Sequence, residues 1–174
     1  MQRLSLILIT AVLLLSALPQ TMFAQTAESQ TTLIDTFKDW AAYQHDGKAS
    51  KICFALTKPK TTSPSSLKRN PVFFYVSAWP KDGVKAEISV KMGYTIKKDS
   101  VATIKIGSAS YRLLTESDKA FVDDPTAELK LIEAMKRGST MIVEAQSANG
   151  ASSKDTYSLR GVTKAIKTLV ENCS

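Results

Sequence analysis

The feature that most constrains the fold is a pair of cysteines placed far apart in a chain that has no others. The chain has 174 residues, and its cysteines are Cys53 and Cys173, next to the C-terminal residue. In an oxidising compartment such a pair is expected to form one disulfide. Because a disulfide requires Cα atoms within about 7 Å of each other, the C-terminal segment should return to the strand that carries Cys53.

The N-terminal residues predict export into such a compartment. Arg3 supplies a positive charge, residues 4–18 form a nearly unbroken apolar run, and a small-residue segment follows with Ala24 as the expected cleavage position. This is the layout of a secretory signal peptide. The run is shorter than the roughly 20 residues of a membrane span, and no later stretch is apolar enough to cross a membrane. The expected organisation is a signal peptide over 1–24, a flexible lead-in over 25–33 and a single β-rich domain over 34–174.

Alternating apolar and polar residues predict a mainly β fold. In the run from 86 to 96, one side of the chain carries Ile88, Val90, Met92 and Tyr94, as in an antiparallel sheet with one solvated face. Similar runs, separated by turn residues, recur at intervals of roughly ten residues. The predicted fold is an antiparallel β-sandwich of about nine short strands, with two helices late in the chain.

Both predicted helices have recognisable ends or faces. Asp124 is a good N-cap, Pro125 suits the first helical position, and Gly138 suits the C-terminal cap. The last helix carries an apolar stripe, made of Leu159, Val162, Ile166, Leu169 and Val170. We expect this stripe to lie on the sheet, with Cys173 tying the helix end to it.

Residues for the common catalytic and metal sites are scarce. His45 is the only histidine, so a nucleophile has no neighbouring imidazole base and a two-cysteine metal site has no further partners. No phosphate loop, dinucleotide motif or acidic calcium loop is present. No catalytic residue, metal or cofactor is therefore predicted. A periplasmic hydrolase remains an alternative if the fold gathers carboxylates, the candidates being Asp35, Asp39, Asp123 and Asp155.

A basic loop is the candidate binding feature of a chain whose formal net charge is +7. The polar, proline-broken stretch 58–70 contains four cationic residues: Lys58, Lys60, Lys68 and Arg69. Such a loop suits an anionic partner, here an envelope component or a host-surface ligand. It lacks the interleaved aromatics of a nucleic-acid site, so no nucleic-acid partner is predicted. A chaperone-like subunit that offers a sheet edge is a further alternative, and the oligomeric state stays open.

Several motifs together resemble one family. They are the signal peptide, Asp39-Trp40, Cys53 after a hairpin, the unit from Phe121 to Gly138, and an ending whose signature residues are Ser158, Leu159, Gly161, Val162, Ala165 and Ile166. Over roughly residues 35 to 173 the chain is similar to the invasion-associated locus B family of bacterial exported proteins. It lacks the extra central cysteine pair that many members carry. The resemblance implies a small β-rich envelope protein linked to entry into host cells, with no catalytic residues to carry over.

Overall fold

The computed structural model describes residues 30–47 and 50–173. The predicted signal peptide over 1–24 and residues 25–29 of the predicted lead-in lie outside the described residues. The described part contains these strands: β1 (Gln30–Phe37), β2 (Trp40–Asp46), β3 (Lys51–Thr57), β4 (Thr61–Ser63), β5 (Phe73–Trp79), β6 (Val84–Lys91), β7 (Ala102–Ile106), β8 (Ala109–Glu116), β9 (Lys119–Phe121), β10 (Thr140–Gln146) and β11 (Ser152–Ser158). Its α-helices are α1 (Pro125–Arg137) and α2 (Val162–Asn172), and a single 3₁₀ turn spans Pro80–Asp82.

The strands form one antiparallel sheet that is folded across its middle. Their order is β1-β2-β3-β5-β6-β9-β8-β7-β10-β11-β4. The first part of β8 pairs with β7 and its last part pairs with β9, so β8 joins two half-sheets. Their inner faces meet in the core, where the rings of Phe74 on β5 and Tyr157 on β11 have centroids 5.7 Å apart. The predicted mainly β fold with two late helices is confirmed.

The sheet has eleven strands rather than about nine, and the two additional strands, β1 and β4, are its edges. β1 is exposed along nearly all its length, and the three residues of β4 are all exposed. Alternation appears in a sequence only where one face of a strand is buried, so neither strand carries that signal. Residues 30–33, assigned above to the lead-in, belong to β1. The basic stretch 58–70 likewise contains β4, which pairs with β11.

Helix α2 packs against β1, β2, β3 and β5. Its buried residues are Val162, Ala165, Ile166 and Leu169. Leu159 of the predicted stripe is buried just before the helix begins, whereas Val170 is 49% exposed. Consecutive helical residues are about 100° apart around the axis, so Val170 turns to the solvent when Leu169 faces the sheet. The docked C-terminal helix is confirmed, without Val170 in its buried face.

The end of α2 is covalently attached to the sheet. Cys53 on β3 and Cys173 form a disulfide with a Cα–Cα distance of 5.9 Å, and Cys53 is fully buried. Beside it, the Lys51 ammonium donates a hydrogen bond to the carbonyl of Asn172, at the end of the helix where backbone carbonyls lack helical partners. The last turn of α2 is therefore held by a covalent bond and a charged donor.

Helix α1 has the predicted ends. The Asp124 carboxylate accepts a hydrogen bond of 2.8 Å from the backbone N–H of Thr126, with Pro125 in the first turn. At the C-terminal end of the helix, the Gly138 N–H donates a hydrogen bond to the carbonyl of Ala134. Within the helix, Glu128 accepts from the backbone N–H of Ile88 at 2.6 Å, which ties α1 to β6. This contact anchors α1 through a side-chain carboxylate as well as through its buried apolar residues.

Gly161 occupies the junction where the β1–β2 turn meets the start of α2. Its φ is +99°, and a Cβ there would lie 1.8 Å from the carbonyl oxygen of Phe37. We predict that Gly161→Ala lowers the free energy of unfolding by ~3 kcal/mol or more, because steric overlap adds to left-handed strain. The control is Gly150→Ala, whose φ is +90° with no atom within 4 Å; it should cost only ~1–2 kcal/mol. If urea unfolding shows that the two variants lose the same free energy of unfolding, this account is contradicted.

The disulfide gives a second prediction. Replacing both Cys53 and Cys173 by alanine should lower the free energy of unfolding by up to about 4–5 kcal/mol, because a long loop is no longer closed in the unfolded chain. Urea titration of the wild type and the double variant measures the difference. Thiol titration of the denatured, unreduced wild type should find no free thiol, and finding two would refute the pairing.

Candidate functional site

A small surface pocket gathers part of the predicted basic loop. Its volume is about 310 Å³, and it is lined by the β1–β2 turn, by β3 and by the chain that follows β3. Three lysines and one carboxylate line it: Lys38, Lys58, Lys60 and Asp39. We call this site the lysine pocket. The three lysines are exposed, so their charges reach a solvent-borne ligand.

Hydrogen bonds fix the backbone around the lysine pocket. The Thr57 hydroxyl donates to the carbonyl of Asp39 at 2.6 Å. The Asp39 N–H donates to the carbonyl of Arg160 at 3.2 Å, and the Lys60 N–H donates to the carbonyl of Thr156 at 2.7 Å. The pocket walls are therefore attached both to each other and to β11, so the lysine-bearing segments start from fixed backbone positions.

Asp39 is the acidic member of the pocket. Its carboxylate lies 2.5 Å from the Lys60 ammonium. The Lys60 hydrogen bond, assisted by the Ser158 hydroxyl, holds the pKa of Asp39 below its usual range. Asp39 is thus a stable anion that orients Lys60. Lys58 lies instead over the Phe73 ring, with Nζ 5.4 Å from the centroid, a cation–π contact that leaves its hydrogen-bond donors open.

Arg69, predicted above as an anionic-ligand residue, does not line this pocket. Its guanidinium forms two hydrogen bonds with the Asp155 carboxylate, of 2.9 and 2.6 Å. The two side chains are only 7% and 0% exposed. The guanidinium also stacks 5.9 Å from the ring of Tyr94, whose hydroxyl contacts Ser153. Arg69 therefore neutralises a buried carboxylate and attaches the basic loop to β11.

The remaining predicted site residues are dispersed. Lys68 is exposed but does not line the lysine pocket. Asp35 accepts a hydrogen bond from the N–H of Thr36, Asp39 pairs with Lys60, and Asp155 pairs with Arg69. Of the four candidate carboxylates, Asp39 alone lines the pocket. The lysine pocket therefore holds no pair of carboxylates that could act as general acid and general base in hydrolysis.

His45 does not join a catalytic or metal-binding group. It lies in β2, and its Nδ1 is 2.7 Å from the Thr31 hydroxyl on β1. Within residues 30–47 and 50–173, no group of three histidine, cysteine, aspartate or glutamate side chains is placed to hold a metal ion. In the same part of the chain, α1 and α2 fall short of the length and hydrophobicity of a membrane-crossing helix.

Lys38 is the pocket residue that sequence reasoning missed. It follows β1 in the tight turn before Trp40 and has a φ of +57°. That turn became visible only with β1, half of which the sequence placed in the lead-in. The usable signal was a Lys-Asp pair directly before Trp40, since short polar pairs between two extended segments are typical of hairpin turns.

Fold and site together define a small β protein with a disulfide-anchored C-terminal helix and a basic surface pocket. A family model described as invasion associated locus B (IalB) protein matches residues 41–170. The chain belongs to this family, which confirms the resemblance seen in its motifs. The family and the disulfide are consistent with an exported protein.

A solved structure supports the same fold. The crystal structure of invasion associated protein B from Bartonella henselae superposes with a TM-score of 0.58 at 15% sequence identity. The match covers 83% of this chain and 97% of the Bartonella chain. No curated protein matches the chain. At this identity the likeness concerns the fold alone.

The Arg69–Asp155 pair leads to a prediction about pH. Burial raises the pKa of Asp155, while Arg69 lowers it. Arg69→Met should cost ~3–5 kcal/mol at pH 7, because it leaves a buried carboxylate unpaired. Without Arg69 the pKa of folded Asp155 rises further, so the folded state binds a proton that the unfolded state releases. The free energy of unfolding of the variant should therefore recover as the pH falls towards ~4.

Two further variants make this measurement specific. Adding Asp155→Asn to Arg69→Met should remove the pH-dependent recovery, since the titrating group is gone. Lys105→Met breaks an exposed ion pair with Glu144 and should cost only ~0–1 kcal/mol. Urea unfolding across the pH range compares them. If Arg69→Met lowers the free energy of unfolding by as little as Lys105→Met does, the buried pair contributes little to stability.

Proposed function

We propose that this protein is a non-enzymatic binding protein of the bacterial periplasm or cell surface, which supports host-cell interaction or envelope function. The observation that carries the proposal is the lysine pocket, where three exposed lysines surround a single carboxylate. Its ligand is an anionic group of an envelope component or a host-surface molecule. An exported protein meets such groups as lipid phosphates or as acidic glycans.

The distribution of charge in the pocket favours an anion. Asp39 engages Lys60, but Lys38 and Lys58 form no ion pair within the described residues. Their ammonium groups thus remain available to ligand oxygens. Because these charges are exposed, their attraction is screened by salt. The pocket is expected to bind through several modest contacts, whose strength depends on the charge density of the ligand.

A binding role is also better supported than hydrolysis. Three of the four carboxylates proposed for catalysis have separate structural partners, Thr36 for Asp35, Lys60 for Asp39 and Arg69 for Asp155; the fourth, Asp123, does not line the lysine pocket. A general acid–base pair needs two groups near one reacting atom. Export follows from the signal peptide expected over residues 1–24, and with it the periplasmic or cell-surface location.

Replacing the three pocket lysines by glutamine should weaken binding to anionic surfaces by roughly 100-fold, because each lysine near such a surface contributes ~1 kcal/mol. The probes are phosphatidylglycerol vesicles and immobilised heparin, at low and at moderate salt. The two probes separate a lipid phosphate from a sulfated glycan as the source of the anion.

A matched control separates the pocket from the net charge. The triple variant Lys98→Gln, Lys130→Gln and Lys164→Gln removes the same charge from exposed positions elsewhere. It should retain most of the binding of the wild type. If both triple variants lose affinity equally, or if added salt leaves binding unchanged, the lysine pocket is not the site.

A further inference from the structure

The outer face of the β1–β9 half-sheet is aromatic and is covered by neither α1 nor α2. The inner face of these strands holds core residues such as Phe74 and Cys53, and α2 packs on that side. The outer face carries Tyr43 stacked on Phe54, with centroids 5.4 Å apart, and Phe54 against Tyr75 at 6.1 Å. A broad groove of about 570 Å³ runs over this face. Aromatic surface of this kind is typical of interface cores.

The strand register defines a central row across this face. Tyr75 lies opposite Ser89, Ser89 opposite Phe121, and Phe121 opposite Leu114. Leu114 is 48% exposed, a large apolar side chain left in solvent. The row crosses β5, β6, β9 and β8 at right angles to the strands and is apolar except for Ser89.

Charged residues flank this row on both of its sides. On β6, Glu87 and Lys91 lie two residues before and two residues after Ser89. On β8, Glu116 lies two residues after Leu114, and it lines the groove together with Glu87 and Lys91. Each is therefore ~7 Å from the row along its strand and on the same face. None of these three side chains forms an ion pair within the described residues.

One further pair of charges is unfavourable in the isolated chain. Lys91 on β6 lies directly opposite Lys119 on β9, and like charges in opposite positions of a sheet destabilise it. Glu116 on β8 lies opposite Lys119 on its other side and offsets part of this repulsion, whereas no carboxylate lies opposite Lys91. Lys91 forms no ion pair within the described residues, so a carboxylate of a partner molecule placed above it would relieve the rest.

We propose that this face binds the same face of a second copy of the chain, with the two-fold axis along the central row. Rotation by 180° about this axis places Tyr75, Phe121 and Leu114 against their own counterparts. It also brings Glu87 of each copy over Lys91 of the other. The alternative two-fold axis, along β6, would place Glu87 over Glu87. Charge complementarity thus selects one isologous, face-to-face dimer.

The proposed dimer does not depend on the ligand proposed for the lysine pocket. It can be tested by reversing the charge of Glu87 and of Lys91 in separate variants and then mixing the two. The mature protein, purified from the periplasm of an expression host with its disulfide formed, is compared with Glu87→Lys and with Lys91→Glu. In a homodimer each reversal makes two like-charged contacts, so either variant alone should dimerise at least ~100-fold more weakly. In an equimolar mixture of the two variants every contact is attractive again, and a heterodimer should form.

Sedimentation velocity over about 1–100 µM measures these species. Lys98→Glu, in an exposed turn, is the matched control and should dimerise like the wild type. Leu114→Lys, which places two charges on the axis, should prevent dimerisation without touching the core. Circular dichroism checks that each variant is folded. The proposal is overturned if the wild type stays monomeric throughout this range. It is also overturned if neither charge reversal weakens dimerisation, or if the equimolar mixture of the two variants forms no heterodimer.

Discussion

The structure depends on the docking of α2 against the inner face of the sheet, which is fixed at both ends. At its start, Gly161 allows the β1–β2 turn to approach to a distance that no side chain would permit. At its end, the disulfide and the Lys51 donor hold the last turn on β3. A terminal helix of eleven residues is marginal by itself. These two attachments allow it to cover the core as a permanent element.

The segments that connect the strands use their basic residues in two different ways. Arg69 points inward, where its planar guanidinium satisfies both oxygens of buried Asp155, a geometry that lysine cannot reproduce. Lys58 and Lys60 stay outside, where they line the pocket with Lys38. The buried pair fixes the loop after β4, and β4 fixes the loop before it. The predicted binding loop is therefore largely a structural segment, with the exposed charges of Lys58 and Lys60 at its start and that of Lys68 near its end.

The sequence predicted those features in which burial leaves a repeating pattern. Alternation, β-prone composition and the turn residues between them marked nine strands, spacing marked α2, and the two cysteines marked its attachment. It could not predict β1 or β4, because exposed edge strands show no alternation. Nor could it separate Arg69 from Lys68, which are neighbours in the chain and differ only in where the fold directs their side chains. Lys38 was missed for the related reason that its turn exists only if β1 does.

The two candidate surfaces differ in how charge is arranged, and this difference assigns them different partners. The lysine pocket presents a single sign, so it attracts many anions from a distance and distinguishes poorly among them. The outer sheet face carries both signs in fixed positions around an apolar row, so it attracts few partners but selects the orientation of the one that fits. A surface whose charges are complementary to its own rotated copy requires no other protein to explain it. The arrangement of charges on the outer sheet face thus favours self-association, and the arrangement in the lysine pocket favours anion binding, independently of each other.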